Sequence, residues 1–321
     1  MRTRDIGRAA GLDDFVSNER VVVERRGHLL LIGLNRPDKR NAADLAMLHE
    51  LAAAYAVLHT DPELRVGVLH ALGDHFTGGL DLADVGPALI SGRVELIPTG
   101  TIDPWGLVTE PVSKPVVLAV QGTCLTLGVE LALASDVVVA ADSSRFAQLE
   151  VARGIVAFGG ATVRLPRLGW GDAMRWLLTG DHFDAAEALR IGLVQQVVPH
   201  GTQFDAAVVI AERIAAQAPL AVQATLANAR LALADPGAAV DQQLLELIDL
   251  LVTRHPDRIR NQFVDPCDQH VFIVRAIEDG HFTARWRVHV HPPEVVVLQF
   301  QRGRRLERRD RATLRIHCAK H

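Results

Sequence analysis

The sequence predicts an α/β fold, and three features carry that prediction. Short apolar runs bounded by turn residues, Val66 to Leu69, Val116 to Val120 and Val137 to Ala140, have the unbroken hydrophobicity of strands covered on both faces. Stretches rich in alanine and leucine alternate with them, and beyond Gly171 the texture becomes mostly helical. The composition suits such a core: 49% of the 321 residues are hydrophobic and 22% charged, which excludes disorder as the main state.

Taken in order, Val21 to Glu24 reads as a strand, turns at Arg26-Gly27, and returns as Leu29 to Ile32. A polar loop, Asn35 to Asn41, leads into a helix near Ala43 to His59, which Asp61-Pro62 ends. The three buried strands follow, with a loop entering a helix near Leu127. Helices are then expected near Asp172–Leu178, Ala185–Arg190, Gln203–Gln217, Leu220–Leu233 and Ala238–Val252, with boundaries at Ala218-Pro219 and Asp235-Pro236. Past Thr253 the helical texture stops. Trp286 to His291 alternates ahead of Pro292-Pro293 and Val295 to Phe300, a pattern open between a hairpin and a segment that does not fold onto the body.

Charge separates tail from body. His281 to His321 holds ten Lys or Arg against three Asp or Glu, leaving 24 basic and 35 acidic residues elsewhere, within a whole-chain formal charge of −4. The chain as a whole has no electrostatic case for nucleic acid or an anionic membrane, and the arginine-rich Arg304 to Arg311 reads as a solvated arm. A nucleic-acid tether built on the tail is the rival reading. No apolar run reaches the roughly 18 residues of a membrane span, and Met1 to Arg20 lacks the apolar centre of a signal peptide, so a cytoplasmic location is expected. Cys124, Cys267 and Cys318 are too few for a disulfide framework or a four-cysteine zinc site. Cys267-x-x-His270 and His289-x-His291 have metal-like spacing with nothing to complete a site, so no metal is expected.

Familiar catalytic signatures are missing: no Gly-x-Ser-x-Gly elbow, Walker loop, Gly-x-Gly-x-x-Gly or His-Glu-x-x-His occurs. Two glycine-containing loops at strand ends are more informative. Gly73 to Leu82 contains Gly78-Gly79, which lets backbone turn with its amides bare. Gln121 to Glu130 runs into a helix whose first N–H groups have no partner in the helix. Two such loops at neighbouring strand ends can aim two N–H donors at one carbonyl oxygen.

Five blocks in order resemble the crotonase (enoyl-CoA hydratase/isomerase) superfamily: Asn35-Arg36-Pro37-Asp38-Lys39-Arg40-Asn41-Ala42, Phe76-x-Gly78-Gly79-Leu80-Asp81-Leu82, Gln121-Gly122 through Glu130-Leu131-Ala132, Phe146-Ala147-Gln148-Leu149-Glu150, and Leu178-Thr179-Gly180 through Glu187-Ala188 to Gly192-Leu193-Val194. The likeness runs from about Val21 to Arg230. It implies a ClpP/crotonase spiral of ββα units with a C-terminal helical trimerisation region, assembled as a homotrimer or a dimer of trimers. The implied division is a flexible extension over 1–19, a spiral core over 20–197, a helical region over 198–263 and an atypical basic tail over 264–321. The implied substrate is an acyl thioester of coenzyme A, with no separate cofactor.

Carried over position by position, the oxyanion amides fall on Leu80 and Leu127 and the two catalytic glutamates on Glu130 and Glu150. Glu130 would orient and activate water, and Glu150 would protonate C2. The same likeness puts Lys39, Arg40 and Ala42 near the CoA and Gly79, Asp81, Leu82, Ala83 and Gly128 along the thioester. Residue by residue, Asp81 also reads as the cap of a short helix, and Lys39 as solvated. Three departures stand out: Thr126-Leu127-Gly128 replaces a glycine-rich run, Leu149 replaces a proline, and Ala157-Phe158-Gly159-Gly160 replaces a Pro-Gly loop. The expected reaction is hydration of a trans-2-enoyl-CoA, of the fatty acid β-oxidation type. The alternatives are a Δ3,Δ2-enoyl-CoA isomerase using Glu150 alone, other acyl-CoA chemistry on the same fold, and a non-catalytic acyl-CoA-binding protein.

Overall fold

The computed structural model describes residues 15–17, 19–91, 95–235, 237–239, 242–243, 272–275, 283–289, 295–301 and 317–319. They divide into two compact units, residues 1–227 and 228–321. Residues 1–14 of the expected extension, most of the helix expected at 238–252, Cys267, His270 and His291 lie outside the described residues.

The first unit is built on a seven-stranded sheet in the order β1-β2-β3-β4-β5-β7-β10. Strands β1 (Phe15–Ser17), β2 (Val21–Arg26) and β3 (Leu29–Leu34) pair antiparallel, so residues 15–17 of the stretch read as an extension belong to the sheet. A 3-10 turn, Pro37–Lys39, leads to α1 (Leu45–Thr60), where the Asp44 carboxylate accepts from the Met47 N–H at 2.9 Å. From β3 onward the large sheet is parallel: β4 (Val66–Ala71), β5 (Val116–Val120), β7 (Val137–Ala141) and β10 (Gln196–Val198).

A short helix, α2 (Leu82–Ser91), follows β4. After β5, β6 (Thr123–Leu125) precedes α3 (Leu127–Ala134); after β7, β8 (Arg145–Ala147) precedes α4 (Ala161–Arg164). Each of these ββα turns gives one strand to the large sheet and one to a three-stranded sheet, β6-β8-β9, which is the spiral the resemblance implies. α5 (Trp170–Thr179), β9 (Phe183–Asp184), α6 (Ala185–Arg190), α7 (Gln203–Ala215) and α8 (Pro219–Ala234) complete the unit's course, α8 continuing into the second.

All six residues of β3 are buried, because its two faces meet different layers. Leu30 and Ile32 join one core with Met47, Leu51, Phe76 and Leu131; Leu29 and Leu31 join another with Val66, Val117 and Ala211 of α7. Alternate side chains of a strand point to opposite faces, so a run apolar at every position requires cover on both sides. Each fully buried leucine contributes about 1.5–3 kcal/mol relative to exposure.

The second unit holds a four-stranded antiparallel sheet of β11 (Phe272–Arg275), β12 (Thr283–His289), β13 (Val295–Gln301) and β14 (His317–Ala319). β12 and β13 pair from Thr283 with Gln301 to His289 with Val295, so of the two readings left open for this stretch the structure takes the hairpin.

Candidate active site

Two loops from different turns of the spiral meet through Thr77. Its N–H donates to the Thr123 carbonyl at 3.0 Å, and its own carbonyl accepts from the Leu125 N–H at 3.1 Å. Its buried hydroxyl donates to the Asn41 carbonyl at 2.6 Å and accepts from the Gly79 N–H at 3.1 Å. Asn41 is fully buried, sits at φ 51° and uses every atom of its carboxamide, accepting from the Arg36 N–H and donating to the Leu72 and His75 carbonyls. The chain between these anchors has little freedom.

Leu80 and Leu127 emerge from that junction with free amides. Ala43 brackets Leu80, its N–H donating to the Gly79 carbonyl and its carbonyl accepting from the Asp81 N–H, and among the described residues the Leu80 N–H has no acceptor. The Leu127 N–H, the first of α3, has none either. The glycine expected before Leu127 is replaced by Thr126, which itself takes φ 48° and ψ −110°. A β-branched residue there is strained by about 1–3 kcal/mol, and such strain persists only where packing on all sides enforces it. The amide of Leu127 thus survives the loss of the glycine-rich run, with the cost moved to Thr126.

Glu130, one turn into α3, and Glu150, leading a 3-10 turn at Val151–Arg153, are 3% and 6% exposed and line the same cleft as Leu80, Leu127 and Leu82. The free volume of this cleft is about 20 Å³, enough for one water. Burial pushes the Glu130 carboxyl up to about 7, and the charge of Glu150 adds to it; backbone N–H groups of Ala161, 3.2 Å from Oε1, and Gly159 oppose the rise. Burial also raises Glu150, whose Oε2 has no partner among the described residues, while Arg153 favours its ionised form. Glu130 can therefore hold or release a proton near neutral pH.

The remaining expected residues are distributed around this centre. Gly79, at φ 97°, packs against Thr126, and Gly128 packs against Thr77 and Cys124. The Asp81 carboxylate is held well below its usual range by Arg36, whose Nη1 lies 2.8 Å away, and it also accepts from the backbone at Ala83 and Asp84, capping α2. Arg36 also donates to the Ala42 carbonyl at 2.9 Å. Ala83 is exposed at the start of α2. Lys39 and Arg40 are exposed and do not line the cleft, although the Arg40 carbonyl accepts from the Gly78 N–H at 2.7 Å. The substituted loop reaches the centre: Phe158 lines the cleft, and a Cβ on Gly159 would lie 2.3 Å from Glu130 Oε2. A larger depression of about 610 Å³, lined by Arg145, Arg175, Trp176, His182 and Glu187 among others, contains neither buried glutamate.

Arg36, Asn41, Thr77, Arg153 and Gly159 were not singled out individually in the sequence. The signals they carry in the sequence are that Arg36 and Asn41 fall in the first motif block, Thr77 at the open position of the second, and Gly159 in an altered loop. Arg36→Met is expected to lower turnover at this site about tenfold and to cost about 1–3 kcal/mol of stability, because Asp81 loses its charged partner beside Leu80. Steady-state kinetics and thermal unfolding of the variant check this.

A ββα spiral that brings Leu80 and Leu127, with their free amides, and two buried carboxyls to one cleft has the parts of an enolate-stabilising class of site. The chain belongs to the enoyl-CoA hydratase/isomerase family, the crotonase superfamily, whose model matches residues 24–250. It is 36% identical over 212 residues to enoyl-CoA hydratase EchA19 of Mycobacterium tuberculosis, covering 65% of this chain and 79% of that one. It is 33% identical to 2,3-dehydroadipyl-CoA hydratase of Escherichia coli over 244 residues, 73% of this chain and 92% of that one. The crystal structure of a probable enoyl-CoA hydratase/isomerase from Mycobacterium abscessus superposes with a TM-score of 0.73 at 51% identity, covering 76% of this chain and 95% of that one. Among the described residues no helix is long and apolar enough to cross a membrane, and no group of three or more His, Cys, Asp or Glu is placed to hold a metal ion.

Proposed function

We propose that the protein adds water across the 2,3 double bond of a trans-2-enoyl-CoA. The observation that carries this reading is the convergence of Glu130, Glu150, Leu80 and Leu127 on one cleft. As the nucleophile reaches C3, negative charge moves to the thioester oxygen, where the Leu80 and Leu127 amides receive it. Glu130 orients water and takes its proton, and Glu150 gives its own proton to C2. The pair exchanges one proton overall, and the scheme needs no metal or redox group, coenzyme A being part of the substrate. Lys39 and Arg40 are suited to the CoA phosphates, as exposed cations on the loop joined to Gly78. The raised carboxyls support the reading, since hydration at neutral pH needs one acid and one base in the same cleft.

A homotrimer or paired trimers, in the cytoplasm, and a division of the chain into core 20–197, helical region 198–263 and tail 264–321 complete the proposal. Exposed Trp170 and Leu178 on α5 support self-association. The test is loss of the conjugated-enoyl absorbance on mixing protein with short, medium and long trans-2-enoyl-CoAs. Rapid loss supports hydration; acyl-CoA binding without loss at any length overturns it.

A further inference from the structure

We propose that the acyl group taken by this cleft carries a second carboxylate, and that Arg153 receives it; the proposal rests on reading the cleft as an acyl-CoA site. Beyond the two glutamates the cleft is lined by Leu80, Leu82, Leu127, Ile155 and Phe158, with Thr126 as a polar residue and Arg153 as the one cation among the described lining residues. Among the described residues this guanidinium has no ion pair and no hydrogen bond, whereas Arg20, Arg36 and Arg190 are each matched to carboxylates.

The backbone of Arg153 is fixed by the turn that carries Glu150. The Arg153 N–H donates to the Glu150 carbonyl at 2.9 Å; Gly154 then takes φ 71°, and the returning Ile155 N–H donates to the same carbonyl at 3.1 Å. Glu150, Arg153 and Ile155 therefore form one tight turn on one side of the cleft. The Leu80 amide belongs to a different element, the loop before α2.

The chemistry of occupation follows from charge. A methyl-terminated acyl chain lying along this wall would displace some of the water around the guanidinium and offer it no partner in return. A cationic acyl group would meet a like charge. An anionic one would be repelled by whichever glutamate is ionised, and only a cation beside that glutamate offsets this. A carboxylate also matches the planar fork of a guanidinium. Because Arg153 keeps access to solvent, the preference is modest, about tenfold in affinity or kcat/KM.

The test compares ω-carboxy and methyl-terminated acyl-CoAs of equal chain length, in two measurements on the full chain. Calorimetry with the saturated thioesters reads binding, and enoyl absorbance with the 2,3-unsaturated ones reads turnover. The wild type is expected to favour the ω-carboxy member about tenfold in binding, Arg153→Gln to bring the ratio near one, and Arg153→Glu to turn it toward an ω-ammonium acyl-CoA. Using a ratio removes any common effect of the substitution on Glu150. Equal affinities in the wild type, or a preference that survives Arg153→Gln, would overturn the proposal. So would an equal loss of affinity for free coenzyme A, which would set its phosphates against Arg153 instead. Turnover of methyl-terminated substrates without carboxylate preference leaves hydration standing and removes this inference; carboxylate preference in binding without turnover of either does the reverse.

Discussion

Glu130→Gln is expected to lower the hydration rate by about a hundred- to ten-thousand-fold, the range spanned by loss of a general acid or base, and at the same time to stabilise the fold above neutral pH. The two effects have one cause. Glu130 is 3% exposed and its carboxyl is pushed from 4.5 in the unfolded chain to about 7 in the fold. The native state therefore binds this proton more tightly than the unfolded state, and stability falls as pH rises from 4.5 through about 7. Above 7 the full penalty applies, on the order of 3 kcal/mol as an upper bound. Glutamine keeps an acceptor for the Ala161 N–H without the charge. Thermal unfolding at pH 8 should show the variant several degrees above the wild type, with the gap closing toward pH 4.5. Glu150→Gln should lose turnover to a similar degree. A variant at either position that hydrates enoyl-CoA at the wild-type rate would remove that carboxyl from the mechanism.

Gly79→Ala is expected to disturb the amides of Leu80 and Leu127, proposed above as oxyanion donors, at once. Gly79 sits at φ 97°, where an L side chain is strained, and an added Cβ would lie 2.1 Å from Thr126 Oγ1 and 3.3 Å from its Cβ. Thr126 is already held at φ 48°, so it has little room to yield. Backbone strain of about 1–2 kcal/mol and overpacking of about 1–3 kcal/mol combine to a loss of about 2–5 kcal/mol. Leu80 follows Gly79 and Leu127 follows Thr126, so displacement of either strand of this contact moves an amide. The loss of one oxyanion donor typically costs about a hundredfold or more in rate. Thr126→Gly in the Gly79→Ala background should recover part of the stability by removing the overlapped hydroxyl. Coupling of about 0.5–3 kcal/mol in the double-mutant cycle is the expected sign of direct contact; additivity would mean that the two loops do not press on each other.

Much of the fold could be read directly. α1 is expected near Ala43 to His59 and spans Leu45–Thr60, because Asp44 caps it and Pro62 lies just beyond its end. The helix after Ala218 begins at Pro219, where a missing N–H costs nothing. The strands β6, β8 and β9 were not legible: they are three, three and two residues long, too short to show a period. The shared cleft of Glu130 and Glu150 was legible only through the ordered motif blocks, since the nineteen residues between them carry no signal of contact. The resemblance also grouped Asp81 with the substrate, whereas its carboxylate is committed to Arg36, 45 positions earlier, and to the start of α2.

What the chain alone determined were its local patterns: unbroken apolar strands, capped helices, glycines at sharp turns, and two loops able to bare their amides at strand ends. These follow from side-chain alternation, backbone sterics and unpaired helix-end amides, all properties of a few neighbouring residues. Tertiary structure alone decided that Thr77 stitches two distant loops, that Gly159 rests on the Glu130 carboxylate, and that Arg153 lines the cleft with no ion pair among the described residues. Burial is what gives these contacts their consequence. A glutamate reads the same in any sequence, and only when packing removes its water does its proton become available near neutral pH.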